Sequence, residues 1–232
     1  MVRPQTWQEA WEADISACLA QGLTVLDVEV LWIPQGGQLD TSHDLIIDVG
    51  NRLGAENLLV VSDEANPDRL NHALRHISQR CASSGMRPCL EFLRITQVTS
   101  LSQARELLDA CQQHNFGILI DTLHLQRCGE FAQFLQNSEP LDPSQFPYMQ
   151  LCDGYLECAA DQTALLEDAL DLRSPPGQGQ LPLRPLMQRL PTQLPLSLEI
   201  RSKTLRDQYP DPLARAQTVL EQTHNFLESL DE

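Results

Sequence analysis

The chain has 232 residues, of which 42% are hydrophobic, and 32 acidic residues against 16 basic ones give a formal net charge of −16. This length suits one α/β barrel domain over residues 1–232, and the hydrophobic fraction is enough to build its core. The charge excludes nucleic acid as an expected partner, because the sequence has no basic patch to offset repulsion by phosphates.

Cysteine spacing and hydropathy limit the compartment. The seven cysteines are an odd number without a C-x-x-C pair, so neither a disulfide framework nor a zinc knuckle is predicted. The N-terminus lacks the apolar core of a signal peptide, and no stretch reaches the roughly 18 apolar residues of a membrane span. We therefore expect a soluble protein of the reducing cytoplasm, without a membrane partner.

Helices and strands alternate through the first half of the chain. Apolar residues recur every three or four positions over 7–20 and predict an amphipathic helix, which an aliphatic strand at 23–33 follows. A helix at 42–53, with Thr41 as its expected cap, and a strand at 57–62 come next. Asn66 and Pro67 then form the N-cap and first position of a third helix.

The alternation continues to the C-terminus. Ser100 opens a helix, and further helices are predicted at 125–135, 162–170, 183–190 and 212–230. The segment 175–180, rich in proline and glycine, is predicted to be irregular and flexible. Alternating strands and helices indicate parallel βα units, so the predicted fold is an α/β TIM-barrel type, incomplete, with about six units instead of eight.

Four short apolar runs each end in a polar residue, namely Glu91, Asp121, Gln150 and Glu199. If these runs are parallel strands, their carboxyl ends converge at one edge of the sheet, where such folds place functional groups. Three carboxylates and an amide in one place repel one another unless a divalent cation neutralises them. Because all the ligands are oxygen atoms, Mn²⁺ or Mg²⁺ is the expected metal.

Further candidates lie near the same strand ends. His124, three residues after Asp121, is predicted to bind substrate or to cap a helix. Arg201, two residues after Glu199, is predicted to bind a substrate oxygen or to act as a counter-ion. Glu29 is a candidate substrate contact, although a solvated position on an edge strand is the preferred explanation.

Five short stretches resemble the xylose isomerase-like TIM-barrel superfamily, which contains sugar phosphate isomerases and epimerases. These stretches are 90–92, 120–124, 148–153, 176–179 and 196–202.

The resemblance implies that Glu91, Asp121, Gln150 and Glu199 ligate the metal and that His124 contacts substrate. It also implies proton abstraction next to a carbonyl through a metal-stabilised enediolate, with Glu91 and Glu199 as the catalytic acid and base. The expected substrate is a sugar, a sugar phosphate or a cyclic polyol. The expected activity is isomerase or epimerase, and a dehydratase of the inosose or 3-dehydroshikimate type is the alternative.

Members of this superfamily have two βα units that this sequence lacks before position 7. We therefore expect a homodimer, a helix laid over the open seam, or low stability. A non-catalytic remnant that binds only metal or ligand is a further alternative. The endonuclease branch ranks last, because it needs a histidine-rich zinc site and a basic groove.

Overall fold

The computed structural model describes residues 9–137 and 141–230, and these form two compact units. Unit 1 runs to Phe92 and resumes over Thr96–Leu119, whereas unit 2 comprises Leu93–Ile95 and the chain from Ile120 onward.

Unit 1 is built from parallel strands that alternate with helices. Strands β1 to β4 pair in chain order, and all six residues of β2 are buried, as expected of a strand covered on both faces. The register brings Glu91, the last residue of β3, beside Leu119 of β4. The elements are α1 (Glu9–Leu19), β1 (Asp27–Ile33), α2 (Thr41–Leu53), β2 (Asn57–Ser62), α3 (Pro67–Ala82), β3 (Arg87–Glu91), α4 (Leu101–Cys111) and the start of β4 (Gly117–Asp121).

Unit 2 continues the pattern from the end of β4. There β4 pairs with β5, and β5 pairs with β6, again in parallel. The remaining elements are α5 (Thr122–Arg127), α6 (Phe131–Gln136), β5 (Met149–Leu151), α7 (Gln162–Asp171), α8 (Leu183–Met187), β6 (Leu196–Leu198), α9 (Lys203–Gln208) and α10 (Pro212–Glu228).

The described residues thus contain six strands, each parallel to the next one along the chain. This confirms the predicted incomplete TIM-barrel type with six βα units. No helix in the described ranges is both long enough and apolar enough to cross a bilayer.

Three local predictions need correction. The side chain of Asp40, not Thr41, caps α2 by accepting a hydrogen bond from the Ser42 N–H. The helix predicted at 125–135 is divided into α5 and α6, since Gly129 between them has φ of 81°. Helix α9 was not predicted, and its cap is the side chain of Ser202.

Candidate active site

Three of the four predicted ligands lie together in unit 2, at the carboxyl ends of consecutive strands. Asp121 ends β4 and pairs in register with Gln150 of β5, while Glu199 directly follows the last residue of β6. Carboxylate oxygens of Asp121 and Glu199 lie within 4.8 Å of each other. Asp121 and Gln150 are buried, and the Glu199 side chain is 22% exposed.

A buried arginine joins the two carboxylates. Arg173 Nη1 donates to Asp121 Oδ2 at 2.6 Å and lies 3.2 Å from Glu199 Oε2. The same nitrogen is 3.3 Å from the Glu199 backbone oxygen and 3.4 Å from Cys152 Sγ. Because the Arg173 side chain is 2% exposed, its charge acts on these carboxylates with little screening by water.

The backbone holds Arg173 in this position. Its N–H donates to the Arg201 carbonyl oxygen, and the next residue, Ser174, exchanges two backbone hydrogen bonds with Asp153. The Nε atom of Arg173 donates to the Ala169 carbonyl oxygen near the end of α7. The backbone bonds therefore fix the main chain at Arg173, and the Nε bond fixes its guanidinium.

His124 lies in the first turn of α5, as the sequence predicted for a residue just beyond a strand end. Its backbone N–H donates to Asp121 Oδ1 at 3.0 Å, so Asp121 is also the N-cap of this helix. Its Nε2 lies 3.3 Å from Arg173 Nη2. Because a guanidinium only donates hydrogen bonds, Nε2 is the acceptor and Nδ1 carries the proton.

Electrostatics in this cluster follow from burial and from Arg173. Burial lowers the pKa of His124 to about 4, so its ring is neutral at neutral pH. Burial opposes ionisation of Asp121, but Arg173 and His124 outweigh this effect and hold the Asp121 pKa below its usual value. Burial raises the pKa of Cys152 to about 12, which leaves the thiol protonated.

The other predicted residues are placed as follows. Glu91 is buried at the end of β3 in unit 1. Glu29 is half-buried in β1, within the register shift between Val28 and Leu31. Arg201 is exposed just after β6, and the hydrogen bond given above uses its backbone oxygen.

Arg173 was missed by the sequence reasoning because it ends no apolar run and lies between a helix and a proline-rich segment. Charge balance indicates only that some basic residue lies at the site. Two neighbouring carboxylates, one of them buried, need a neutralising cation, but the chain has 16 basic residues that could supply it. This signal does not indicate which of them does so.

The donor set fits a hard divalent cation. Asp121 and Glu199 offer carboxylate oxygens, and Gln150 adds an amide at the same edge of the sheet. The guanidinium of Arg173, which contacts Asp121 and Glu199, opposes a divalent cation at this place.

Comparison with known proteins assigns the family. The family model described as "Xylose isomerase-like TIM barrel" matches residues 39–229. The chain therefore belongs to the xylose isomerase-like TIM-barrel family, as the resemblance predicted. No curated protein sequence matches it.

Solved structures with the same fold include an epimerase and a probable dehydratase. An IolI protein with a bound zinc atom is 16% identical, with a TM-score of 0.67 over 94% of this chain and 80% of that one. The 3-keto-D-glucoside 4-epimerase YcjR from E. coli is 16% identical, with a TM-score of 0.61 and coverage of 92% and 84%. The probable 3-DHS dehydratase AsbF from Bacillus anthracis is 16% identical, with a TM-score of 0.63 and coverage of 86% and 78%.

Proposed function

We propose that the protein is a divalent-metal-dependent isomerase or epimerase of a sugar or cyclic polyol. The observation that carries this proposal is the convergence of Asp121, Gln150 and Glu199 at the ends of β4, β5 and β6. In this proposal Glu91 is the fourth ligand, and Mn²⁺ or Mg²⁺ is the metal. When bound, the cation would polarise a carbonyl next to the reacting C–H bond.

Within this mechanism the two glutamates transfer the proton. One carboxylate takes it from the carbon next to the carbonyl, and the other returns it. We assign these roles to Glu91 and Glu199. His124 and Arg173 would orient substrate oxygens, because a neutral imidazole with its proton on Nδ1 and a guanidinium offer fixed donors.

The segment 175–180 favours a substrate without a phosphate group. The N–H groups of Gly177 and Leu181 donate to the buried Asp153 carboxylate, and that of Gln180 donates to the Gly154 carbonyl oxygen. An anion would find these donors already used and a negative charge behind them. These contacts favour a neutral polyol over a sugar phosphate as the substrate.

A cavity of about 520 Å³ in unit 2 has room for such a polyol, although Asp121, His124, Gln150 and Glu199 are not among its lining residues. Arg173 is part of its wall, and uncharged hydrogen-bonding side chains provide much of the remaining surface. These are Ser174, Gln178, Gln180, Ser202, Thr204, Gln208 and Gln222.

Two alternatives share this site. A dehydratase would use the same residues and expel hydroxide in place of returning the proton. The other is a non-catalytic remnant that binds only metal or ligand. Loss of the metal in such a remnant is favoured by one observation, which is that Arg173 already neutralises Asp121 and Glu199. The proposal also places the protein in the cytoplasm, consistent with seven free cysteines.

The first test is thermal stability with Mn²⁺, Mg²⁺, Zn²⁺ or EDTA. We expect Mn²⁺ or Mg²⁺ to raise Tm by mass action on the folded state, and Glu199→Gln to abolish most of this rise. Glu221→Gln, an exposed change on α10, is the matched control and should keep the full response. Absence of a shift with every metal would leave the remnant as the better description.

A second test separates the activities. Keto-sugars and cyclic polyols would be incubated with the metal-loaded protein in D₂O and followed by NMR. An isomerase or epimerase incorporates deuterium at the carbon next to the carbonyl without loss of water, whereas a dehydratase yields an unsaturated product. If a broad substrate panel gives neither deuterium incorporation nor an unsaturated product, the enzyme assignment is contradicted.

A further inference from the structure

We propose that Arg173 is a built-in competitor of the divalent cation, so that the guanidinium weakens metal binding and keeps the metal-free protein folded. This inference rests on the proposed metal site. It concerns the effect of the Arg173 guanidinium on that site, and all residues used to support it lie in unit 2.

First, Arg173 contacts both carboxylates with the same nitrogen. One nitrogen, Arg173 Nη1, is within 3.2 Å of an oxygen from both Asp121 and Glu199. A metal bound to the same oxygens at about 2.1 Å would lie within roughly 5 Å of that nitrogen. The site would then hold a divalent ion and a guanidinium side by side, with burial removing the water that would screen them.

The second step concerns how this repulsion is relieved. Arginine does not lose its proton in proteins, so the repulsion cannot be relieved by deprotonation. The Nε bond of Arg173 to Ala169 and its backbone bond to Arg201 restrict lateral movement of the side chain. A metal on the same carboxylate oxygens would therefore compete with the Nη1 contacts to Asp121 and Glu199.

The third step concerns the metal-free state. Without a cation, Asp121 and Glu199 would be two carboxylates within 4.8 Å of each other, one of them fully buried. Arg173 supplies the compensating charge. A residue with a purely structural role would leave metal affinity unchanged or lower it when removed, whereas a competitor raises metal affinity when removed.

Arg127 provides a matched control. It is also buried in unit 2, and it forms a two-point ion pair with Asp168 at 2.7 and 3.1 Å. Its guanidinium also donates to the Tyr155 and Leu156 carbonyl oxygens, and within the described ranges it forms no ion pair with Asp121 or Glu199. Arg127→Met thus removes a comparable buried arginine that does not bridge the predicted ligands.

The test is calorimetric titration of MnCl₂ into the wild type, Arg173→Met and Arg127→Met, with the free protein's Tm measured in EDTA. We expect Arg173→Met to bind Mn²⁺ about tenfold or more tightly than the wild type and to lose Tm in EDTA. Arg127→Met should lose Tm but keep the wild-type Mn²⁺ affinity. Arg173→Gln, which keeps a donor without the charge, is the second variant if Arg173→Met does not fold.

The outcomes separate this inference from the proposed function. Wild-type affinity or weaker binding in the folded Arg173 variants would overturn the competition while leaving the metal site intact. If neither the wild type nor the Arg173 variants bind Mn²⁺, both the competition and the proposed metal site are wrong. Equal tightening in Arg127→Met would show a general charge effect and would also overturn the specific role of Arg173.

Discussion

A single buried carboxylate organises the loops after β1 and β2. Glu64 accepts hydrogen bonds from the N–H groups of Gly36 and Asn66 and from two nitrogens of Arg69. The Arg69 hydrogen bond, followed by that from Asn66, lowers the pKa of Glu64 to about 2. Ionised Glu64 therefore links the two loops of unit 1.

This link predicts a pH-dependent difference between the wild type and Glu64→Gln. A carboxylate whose pKa is lowered on folding contributes its stabilisation above its unfolded pKa and loses it as pH falls through the folded pKa. The free energy advantage of the wild type should be full above pH 4.5 and shrink toward pH 2. Urea unfolding of both proteins at several pH values measures it, and a constant difference would contradict the prediction.

Gly50 lies in the last turn of α2, where replacement by alanine should improve helix propensity but disturb packing. An added methyl group would lie 2.6 Å from Met86 Sδ and 2.9 Å from Val28 Cγ2. We expect Gly50→Ala to destabilise the protein by about 1–3 kcal/mol through overpacking. In a double-mutant cycle with Met86→Ala, the two changes should cost less together than their sum, and additivity would contradict this explanation.

At the scale of elements, the segment 175–180 depends on Asp153. One carboxylate oxygen accepts from the N–H groups of Gly154 and Leu181, and the other accepts from Gly177. An asparagine would retain one acceptor only. We expect Asp153→Asn to destabilise the protein by about 1–3 kcal/mol and to speed amide exchange at Gly177.

Asp161→Asn is the control for this change, because Asp161 caps α7 and asparagine is an equally good N-cap. Hydrogen exchange at Gly177 should match the wild type in this control. Fast exchange at Gly177 in the wild type itself would show that the segment is open, as the sequence predicted for a flexible stretch.

Elements whose signal lies within a few consecutive residues were predicted well. Strand β2 has its predicted bounds, and Asn66 and Ser100 cap α3 and α4 because a side-chain acceptor three residues before a free N–H acts locally. Gly129 was not recognised as a break, because an isolated glycine in an apolar pattern is tolerated within helices.

The residues of the site also include some with a local sequence signal and one without it. Asp121, Gln150 and Glu199 could be predicted because each lies at or next to the carboxyl end of a short apolar run, and parallel strands bring such ends together. Arg173 could not, since its position depends on pairing between residues distant in the chain, Ser174 with Asp153 and Leu172 with Ser202. Short patterns do not contain that information.

At the scale of the whole molecule, the net charge of −16 predicts a response to salt. Self-repulsion opposes compact states, and raising ionic strength from 0.01 to 0.1 M shortens the screening length from about 30 to 10 Å. We expect NaCl to raise Tm by about 2–4 °C. A triple variant with Glu56→Gln, Glu167→Gln and Glu221→Gln should gain less, and an equal or larger gain would contradict the prediction.

The expectation of a homodimer stays a prediction. Among the described residues, β1 pairs only with β2 and β6 only with β5, so each has one edge without a strand partner. Sedimentation equilibrium over a range of concentrations tests it, and a monomer at all of them would contradict it.

The hydrogen bonds of Asp153 have a consequence for evolvability. They fix the backbone of the segment 175–180, while the Gln178 side chain is exposed and lies in the cavity wall. Replacing Gln178 changes the chemistry that the cavity presents without disturbing the bonds that shape it. Position 178 is therefore the natural place to vary the chemistry of this cavity at little risk to folding.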